Sequence, residues 1–487
     1  PLLTLAGVWG WSERHLETLG NHGCKCGILT LGHGMTATRY ARYCSHLTRM
    51  QSTSGLTTQV YNLAGQVPTR KWVNVPGVHF GDKDKKLFDF TILSYNILAD
   101  NLLWKHSYLY NLCPPEALQW DFRKEKIINE LYQLNADIVC LQEVHDQHYH
   151  NYIKPMMKRK GYIGAYEKRF GNNFDGCATF FKKTKFNMVQ RCRVDYHVNG
   201  VSLMDRDNIG LIVMLEYRNP TSNRRHGQSN HATEASGLSE PNLKLCIANT
   251  HLLYNPKRGD VKLAQLTKLF AEINNLTSNT GRMPCDHANC ATSNQDVGQA
   301  SANCPVVLCG DFNSTPTSAL FQFISEGHLV YDGLNRKTLS GQRKSKVRYS
   351  DEYGDGFNLR RGALPPWGLK ISNYCKYDSD CDIETHQNYD ALFHHLNLRS
   401  VYRYLEDSVT TDSQAVDYIF YSTDAACNST DVKNNQPQVS HRIQPINYLN
   451  LYSMEDMEKM QFLPNFQLAS DHISLISKLR YFESKVE

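Results

Sequence analysis

From Phe88 onward the chain alternates short apolar runs with amphipathic segments, and this alternation constrains the fold more than any other feature. Runs rich in Val, Ile and Phe occupy Phe88–Tyr95, Asp137–Leu141, Cys177–Phe181, Ile209–Glu216, Leu243–Ala248, Pro305–Cys309, Val416–Tyr421 and Ile473–Leu479. Apolar runs this short read as strands of a layered α/β core. Between them, Glu116–Leu134 repeats apolar residues at Trp120, Ile127, Leu131 and Leu134, and Val261–Leu276 does so at Leu266, Leu269, Ile273 and Leu276. That is the spacing of helices with one buried face. A third helix is predicted to begin at Thr315-Pro316, since Thr caps free amides and Pro fits the first turn.

The 487 residues are 41% hydrophobic and 11% aromatic, enough for one large core or two ordinary ones. A net charge of +5 suits a polyanionic substrate but falls short of the dense basic stripe of a general nucleic-acid binder. Of the fifteen cysteines, Cys140, Cys246 and Cys309 sit inside apolar runs and read as small buried hydrophobes, which points to a reducing, intracellular compartment, cytoplasmic or nuclear. No apolar run approaches the roughly 18 to 20 residues of a membrane span, so the expectation is a soluble protein. The stretch from Thr18 to Gly81 carries no acidic residue, while Arg39, Arg42, Arg49 and Arg70 punctuate it. It reads as a basic arm, residues 1–85, that is either disordered or a mitochondrial address. Residues 86–487 form the expected catalytic domain, with polar surface insertions near 218–242, 278–302 and 336–383. Cys285, His287 and Cys290 lack the second ligand pair of a convincing zinc site.

Polar residues interrupt the strand ends repeatedly. SYNILAD carries Asn96, IVCLQEV carries Glu143, ANTHL carries Asn249 and His251, and VVLCGDFNSTP carries Asp311 and Asn313. VDYIFYS opens with Asp417 and ASDHISL holds Asp471 and His472. A buried carboxylate costs several kcal/mol unless paired or metal-bound, so such a series gathered at one rim implies chemistry. Phosphoester hydrolysis explains the residue types, because it needs a hard cation, a positioned water and donors for developing charge. Magnesium prefers oxygen ligands, which fits Glu143 as principal ligand with Asn96 and Asp471 nearby; manganese is the alternative ion. Asp311 would orient or deprotonate the attacking water, Asn313 would fix its geometry, and His472, aligned by Asp417, would donate to phosphate beside His251.

Taken in order, these motifs resemble the exonuclease-endonuclease-phosphatase superfamily over roughly residues 86–483. DGCATFF at Asp175–Phe181, NTHLLYNPKRGDVKLAQ after Asn249 and LPN at Leu463–Asn465 resemble its deadenylase and nocturnin branch, and within that the Angel subgroup. The resemblance implies a four-layer α/β sandwich of two packed β-sheets flanked by helices, with Asn249, Pro256 and Asn208 on the substrate side. Relatives that trim poly(A) hold adenine between a proline, present here as Pro256, and an aromatic whose position is taken by Asp412. Losing that ring removes roughly 1 to 3 kcal/mol of stacking per base. The Angel resemblance implies instead removal of a 2′,3′-cyclic phosphate from an RNA end, by a monomer acting on RNA that ends in a phosphate or cyclic phosphate. A 3′–5′ exoribonuclease is the alternative enzyme. A non-catalytic RNA-binding adaptor using the arm and the Arg343–Arg348 cluster would be expected to have lost a site residue, and none is missing.

Overall fold

A computed structural model describes residues 67–76, 85–218, 243–277, 304–331, 334–342, 391–402, 408–423, 439–460 and 462–485, all within one compact unit, Asn62–Glu487. The strands in chain order are β1 (Trp72–Asn74), β2 (Lys85–Asn96), β3 (Ile138–His145), β4 (Tyr162–Lys168), β5 (Asp175–Lys182), β6 (Phe186–Asp195), β7 (Ile209–Tyr217), β8 (Lys244–His251) and β9 (Val306–Asp311). They continue as β10 (His328–Val330), β11 (Ala391–Phe393), β12 (Leu398–Ser400), β13 (Ser408–Val409), β14 (Asp417–Ser422), β15 (Val439–Leu449), β16 (Tyr452–Ser453) and β17 (Leu475–Lys485). The helices used below are α1 (Asp100–Lys105), α2 (Trp120–Leu134), α3 (Gly259–Thr277), α4 (Ala319–Glu326) and α5 (Met454–Met460).

Two mixed sheets carry the fold. One is seven-stranded in the order β1-β15-β17-β2-β3-β5-β4, the other six-stranded in the order β12-β14-β9-β8-β7-β6. Their facing sides interdigitate through Phe90, Ile92, Cys140, Phe181, Leu211, Val213, Ile247, Cys309 and Leu475, all at most 1% exposed. The outer face of the first sheet packs Leu93, Val139 and Leu141 against Ile127, Ile128 and Leu131 of α2. The outer face of the second packs Ile212, Leu308 and Tyr418 against α3 and α4 through Leu266, Leu269, Ile273 and Phe323. Each element hides its apolar face against the next layer, giving the expected four-layer sandwich. Every strand read from the sequence is present, and Cys140, Cys246 and Cys309 are buried free thiols.

The structure corrects several boundaries. Trp72–Asn74, assigned to the arm, form an edge strand antiparallel to Asn447–Leu449. The helix expected to start at Thr315-Pro316 starts at Ala319, because the Ser318 hydroxyl accepts from Phe321 N while Thr315 lies in a turn closed by Ser318 N. Glu116–Leu134 is interrupted at Gln119, whose extended backbone separates a short turn of helix from α2. The segment expected as an insertion from 336 begins as packed structure, with Leu339 and Ser340 buried. The rest of that insertion, those near 219–242 and 278–303, the Cys285–Cys290 cluster and Arg343–Arg348 lie outside the described residues. Among those described, no helix is long and apolar enough to cross a membrane.

Candidate active site

The two sheets deliver their polar strand ends to one rim. β2 and β3 run parallel, so Asn96 and Glu143 finish side by side; β8 and β9 run parallel, with His251 opposite Asp311. β14 runs antiparallel to β9 and places Asp417 opposite Asp311. Close approach of β8 and β9 needs Gly310, since a Cβ there would meet Thr250 O at 2.1 Å.

Local backbone devices aim the side chains. The β3–β5 register shifts between Leu141 and Val144, a bulge that leaves one extra residue on β3 and turns Glu143 toward the rim at a left-handed φ of 51°. Asn313 adopts φ 48°, and its N–H donates to Asp311 Oδ1 at 2.9 Å, an Asx turn that ties the two residues together.

Asn96 joins the sheets: its Nδ2 donates to Glu143 Oε1 and to Asp311 Oδ2, both at 3.1 Å, while its Oδ1 accepts from Leu98 N. Glu143 Oε2 accepts from Ala99 N at 3.0 Å. Asp471 accepts from the Tyr110 hydroxyl at 2.8 Å, and Ser470 donates to Asn96 O at 2.6 Å, bringing the Asp471-His472 loop against β2. His472 Nδ1 lies 2.8 Å from Asp417 Oδ2, leaving Nε2 to face Asp311 Oδ2 at 3.7 Å. His251 Nε2 lies 3.5 Å from the same oxygen and 3.2 Å from Asn313 Nδ2.

The electrostatics divide these groups. Burial, reinforced by Asp471 and Asp175, pushes the Glu143 carboxyl up to about 7. Burial and Asp417 raise Asp311. Burial opposes charge on His472, but the Asp417 and Asp311 carboxylates outweigh it and hold the imidazole well above its ordinary range. Burial lowers His251, so it is the neutral ring, able to accept from the Asn313 amide.

These residues fit a divalent cation. Glu143 is a largely enclosed carboxylate at the rim whose ionisation is opposed by desolvation and by neighbouring carboxylates, the condition a hard cation relieves. Asp311, Asp417 and His472 also bring ligand-type atoms within 4.8 Å of one another. With His472 Nδ1 held by Asp417, this second group is arranged for proton handling.

The three residues expected on the substrate side differ in their surroundings. Asn249 is fully buried between the sheets, donating to Leu141 O and Ala178 O and accepting from Gln142 Nε2, so it pins the layers and has no surface for substrate. Asn208 donates to His251 O and thus backs that histidine. Pro256 is half-buried on the loop after His251, its carbonyl accepting from Ser340.

Four supporting residues escaped the sequence reading. Tyr110 and Ser470 hold the Asp471 loop. Arg123 is fully buried, with Nη1 donating to Ile97 O, Leu98 O and Ala469 O beneath the metal side. Lys262, also fully buried, donates to Asn313 O and to Gln342 Oε1, both at 2.6 Å, and burial lowers its ammonium to about 7. Arg123 and Lys262 were legible in principle, as cations inside the apolar stripes of α2 and α3.

Two β-sheets that converge carboxylates, amides and imidazoles on one rim define a phosphoester hydrolase of the layered α/β kind. The chain belongs to the endonuclease/exonuclease/phosphatase family, whose model matches residues 93–472. It is 36% identical to protein angel homolog 2 of Danio rerio over 450 residues, 87% of this chain and 71% of that one. It is 35% identical to protein angel homolog 2 of Homo sapiens over 434 residues, 82% and 70% of the two chains. Among solved structures it resembles ANGEL2, described as a 2′,3′-cyclic phosphatase, in complex with adenosine-2′,3′-vanadate. That match has a TM-score of 0.63 and 34% identity, and covers 85% of this chain and 99% of the other.

Proposed function

We propose that this chain is a magnesium-dependent RNA 2′,3′-cyclic phosphatase that converts the cyclic end to a 2′,3′-diol and inorganic phosphate. A cation held by Glu143, with Asn96 and Asp471 beside it, would neutralise phosphate charge and ease ionisation of the attacking water. Asp311, oriented by Asn96 and by the Asn313 amide, accepts the proton of that water. As the first P–O bond breaks, the protonated His472, aligned by Asp417, donates toward the departing ribose oxygen. His251, whose Nδ1 lies 3.9 Å from Glu143 Oε1, and the Asn313 side-chain amide beside it would contact the phosphate oxygens. A second water then attacks the same phosphorus, the remaining ester bond breaks, and two waters have been consumed per phosphate released.

The observation that carries this reading is the single rim uniting Glu143, Asp311 and His472, together with the likeness to a protein described as a 2′,3′-cyclic phosphatase. Asp412 favours end cleaning over tail trimming. It follows Thr411, which bridges to His472, so a carboxylate rather than a ring occupies that position. A 5′-labelled RNA ending in a cyclic phosphate tests it: phosphate loss at unchanged length is expected, whereas a ladder of shortened products would overturn it in favour of a 3′–5′ exoribonuclease.

A further inference from the structure

Phe170 and Phe174 stand on the turn between β4 and β5 with 46% and 57% of their surfaces exposed. Large rings facing solvent together on one turn call for an explanation. The turn is firmly built: Lys168 Nζ donates to Asn173 O at 2.7 Å, and Asn173 Nδ2 donates to Phe170 O at 2.7 Å and Asp207 Oδ2 at 2.9 Å. Each ring is backed by an imidazole. His197 lies 5.0 Å from Phe170 with 14° between planes, and His145 lies 6.1 Å from Phe174 with 12°. The ladder continues from His145 to His148 at 4.5 Å, and Trp120 stacks on His148 at 3.8 Å and 4°. Burial and the neighbouring His145 lower His148 to about 4, so this ring is neutral and stacks as an aromatic.

The second of these two stacks, through His145, approaches the active site along β3. His145 lies two residues beyond Glu143 on β3 and pairs with Asp175, the neighbour of Phe174; Asp146 N donates to Phe174 O at 2.7 Å. We propose that this ladder is a track for unpaired RNA upstream of the terminal phosphate, with nucleobases stacking on the exposed faces of Phe174 and Phe170. A base is flat, every base has a π-face, and stacking on a protein ring tolerates any sequence, as a general end-processing enzyme requires. The inference rests on RNA being the substrate class, but its test does not need turnover.

Fluorescence anisotropy with an eight-nucleotide single-stranded RNA compares the wild type with Phe170→Ala/Phe174→Ala and with Phe174→Trp. The double variant is expected to bind about tenfold or more weakly and Phe174→Trp to bind as wild type. Hydrolysis of adenosine 2′,3′-cyclic phosphate, too short to reach the track, should be equal in all three. Unchanged RNA binding by the double variant, or an equal loss against a blunt duplex of the same length, would overturn the track. Absence of phosphate release by the wild type would overturn the proposed activity while leaving the anisotropy comparison decisive for the track.

Discussion

Glu143 and Asn313 both sit in left-handed backbone at the rim, conformations that cost of order 1 to 3 kcal/mol and persist only where the surroundings enforce them. Motif spelling revealed the residues but not this geometry, because the bulge that rotates Glu143 arises from pairing with β5, more than thirty residues further along the chain. The raised Glu143 carboxyl fixes a sign for pH dependence. In metal-free protein its folded pKa, about 7, exceeds the ordinary 4.5, so the stability it contributes is complete below about 4.5 and is lost as pH rises through about 7. Magnesium held by Glu143 would displace that proton, so the rise in Tm on adding magnesium should grow between pH 5 and pH 8. Glu143→Gln should abolish most of that growth, as scanning calorimetry with and without EDTA would reveal. Asp417→Asn leaves His472 a neutral partner that no longer fixes the donor tautomer. It should lower kcat by roughly a hundredfold or more with KM little changed, measured by steady-state phosphate release.

Among the misread elements, β1 bears most directly on the site. Its sequence, Trp-Val-Asn in a Ser/Thr/Gly-rich stretch, lacks the apolar run of a core strand because it is an exposed edge. Just before it, Arg70 donates through Nε to Asn450 O at 2.7 Å and through Nη1 to Ser474 Oγ at 3.3 Å. Ser474 in turn donates to Glu130 Oε1 on α2 at 2.6 Å, beside a cleft of about 260 Å³. Ser474 lies two residues beyond His472, so this chain of bonds clamps the catalytic loop from behind, while Ile473 N donates to Thr410 O on the other side. Arg70→Met should lower kcat roughly tenfold, with KM unchanged, because a small misplacement of His472 suffices; Arg70→Lys should recover part of the loss. The helix start at Ala319 was missed for a related reason. Thr315-Pro316 has the composition of a cap, but Thr315 Oγ1 accepts from no helix amide and the Ser318 hydroxyl takes that role, accepting from Phe321 N.

Across the whole molecule, the alternating apolar runs made the layered core legible, and the order of SYNILAD through SDH made the rim legible. What could not be read was which polar residues face substrate and which hold the layers. Asn249 looks like a site residue in ANTHL, yet its amide is saturated by Leu141 O, Ala178 O and Gln142. Only the packing of two sheets distinguishes it from His251, two residues on. Glu143 and Asn96 come from one sheet and Asp311, Asp417 and His251 from the other, the Asp471-His472 loop serves both sides, and Asn96 bonds to Glu143 and Asp311, so neither sheet alone is a competent site. The most direct measurement of this account is inorganic phosphate released from RNA bearing a 2′,3′-cyclic end, with RNA length followed in parallel, with and without magnesium, for the wild type and Glu143→Ala. The account predicts one phosphate per RNA end at unchanged length, only in the presence of magnesium and only for the wild type. Phosphate release by Glu143→Ala at the wild-type rate, or by metal-free enzyme, would contradict it.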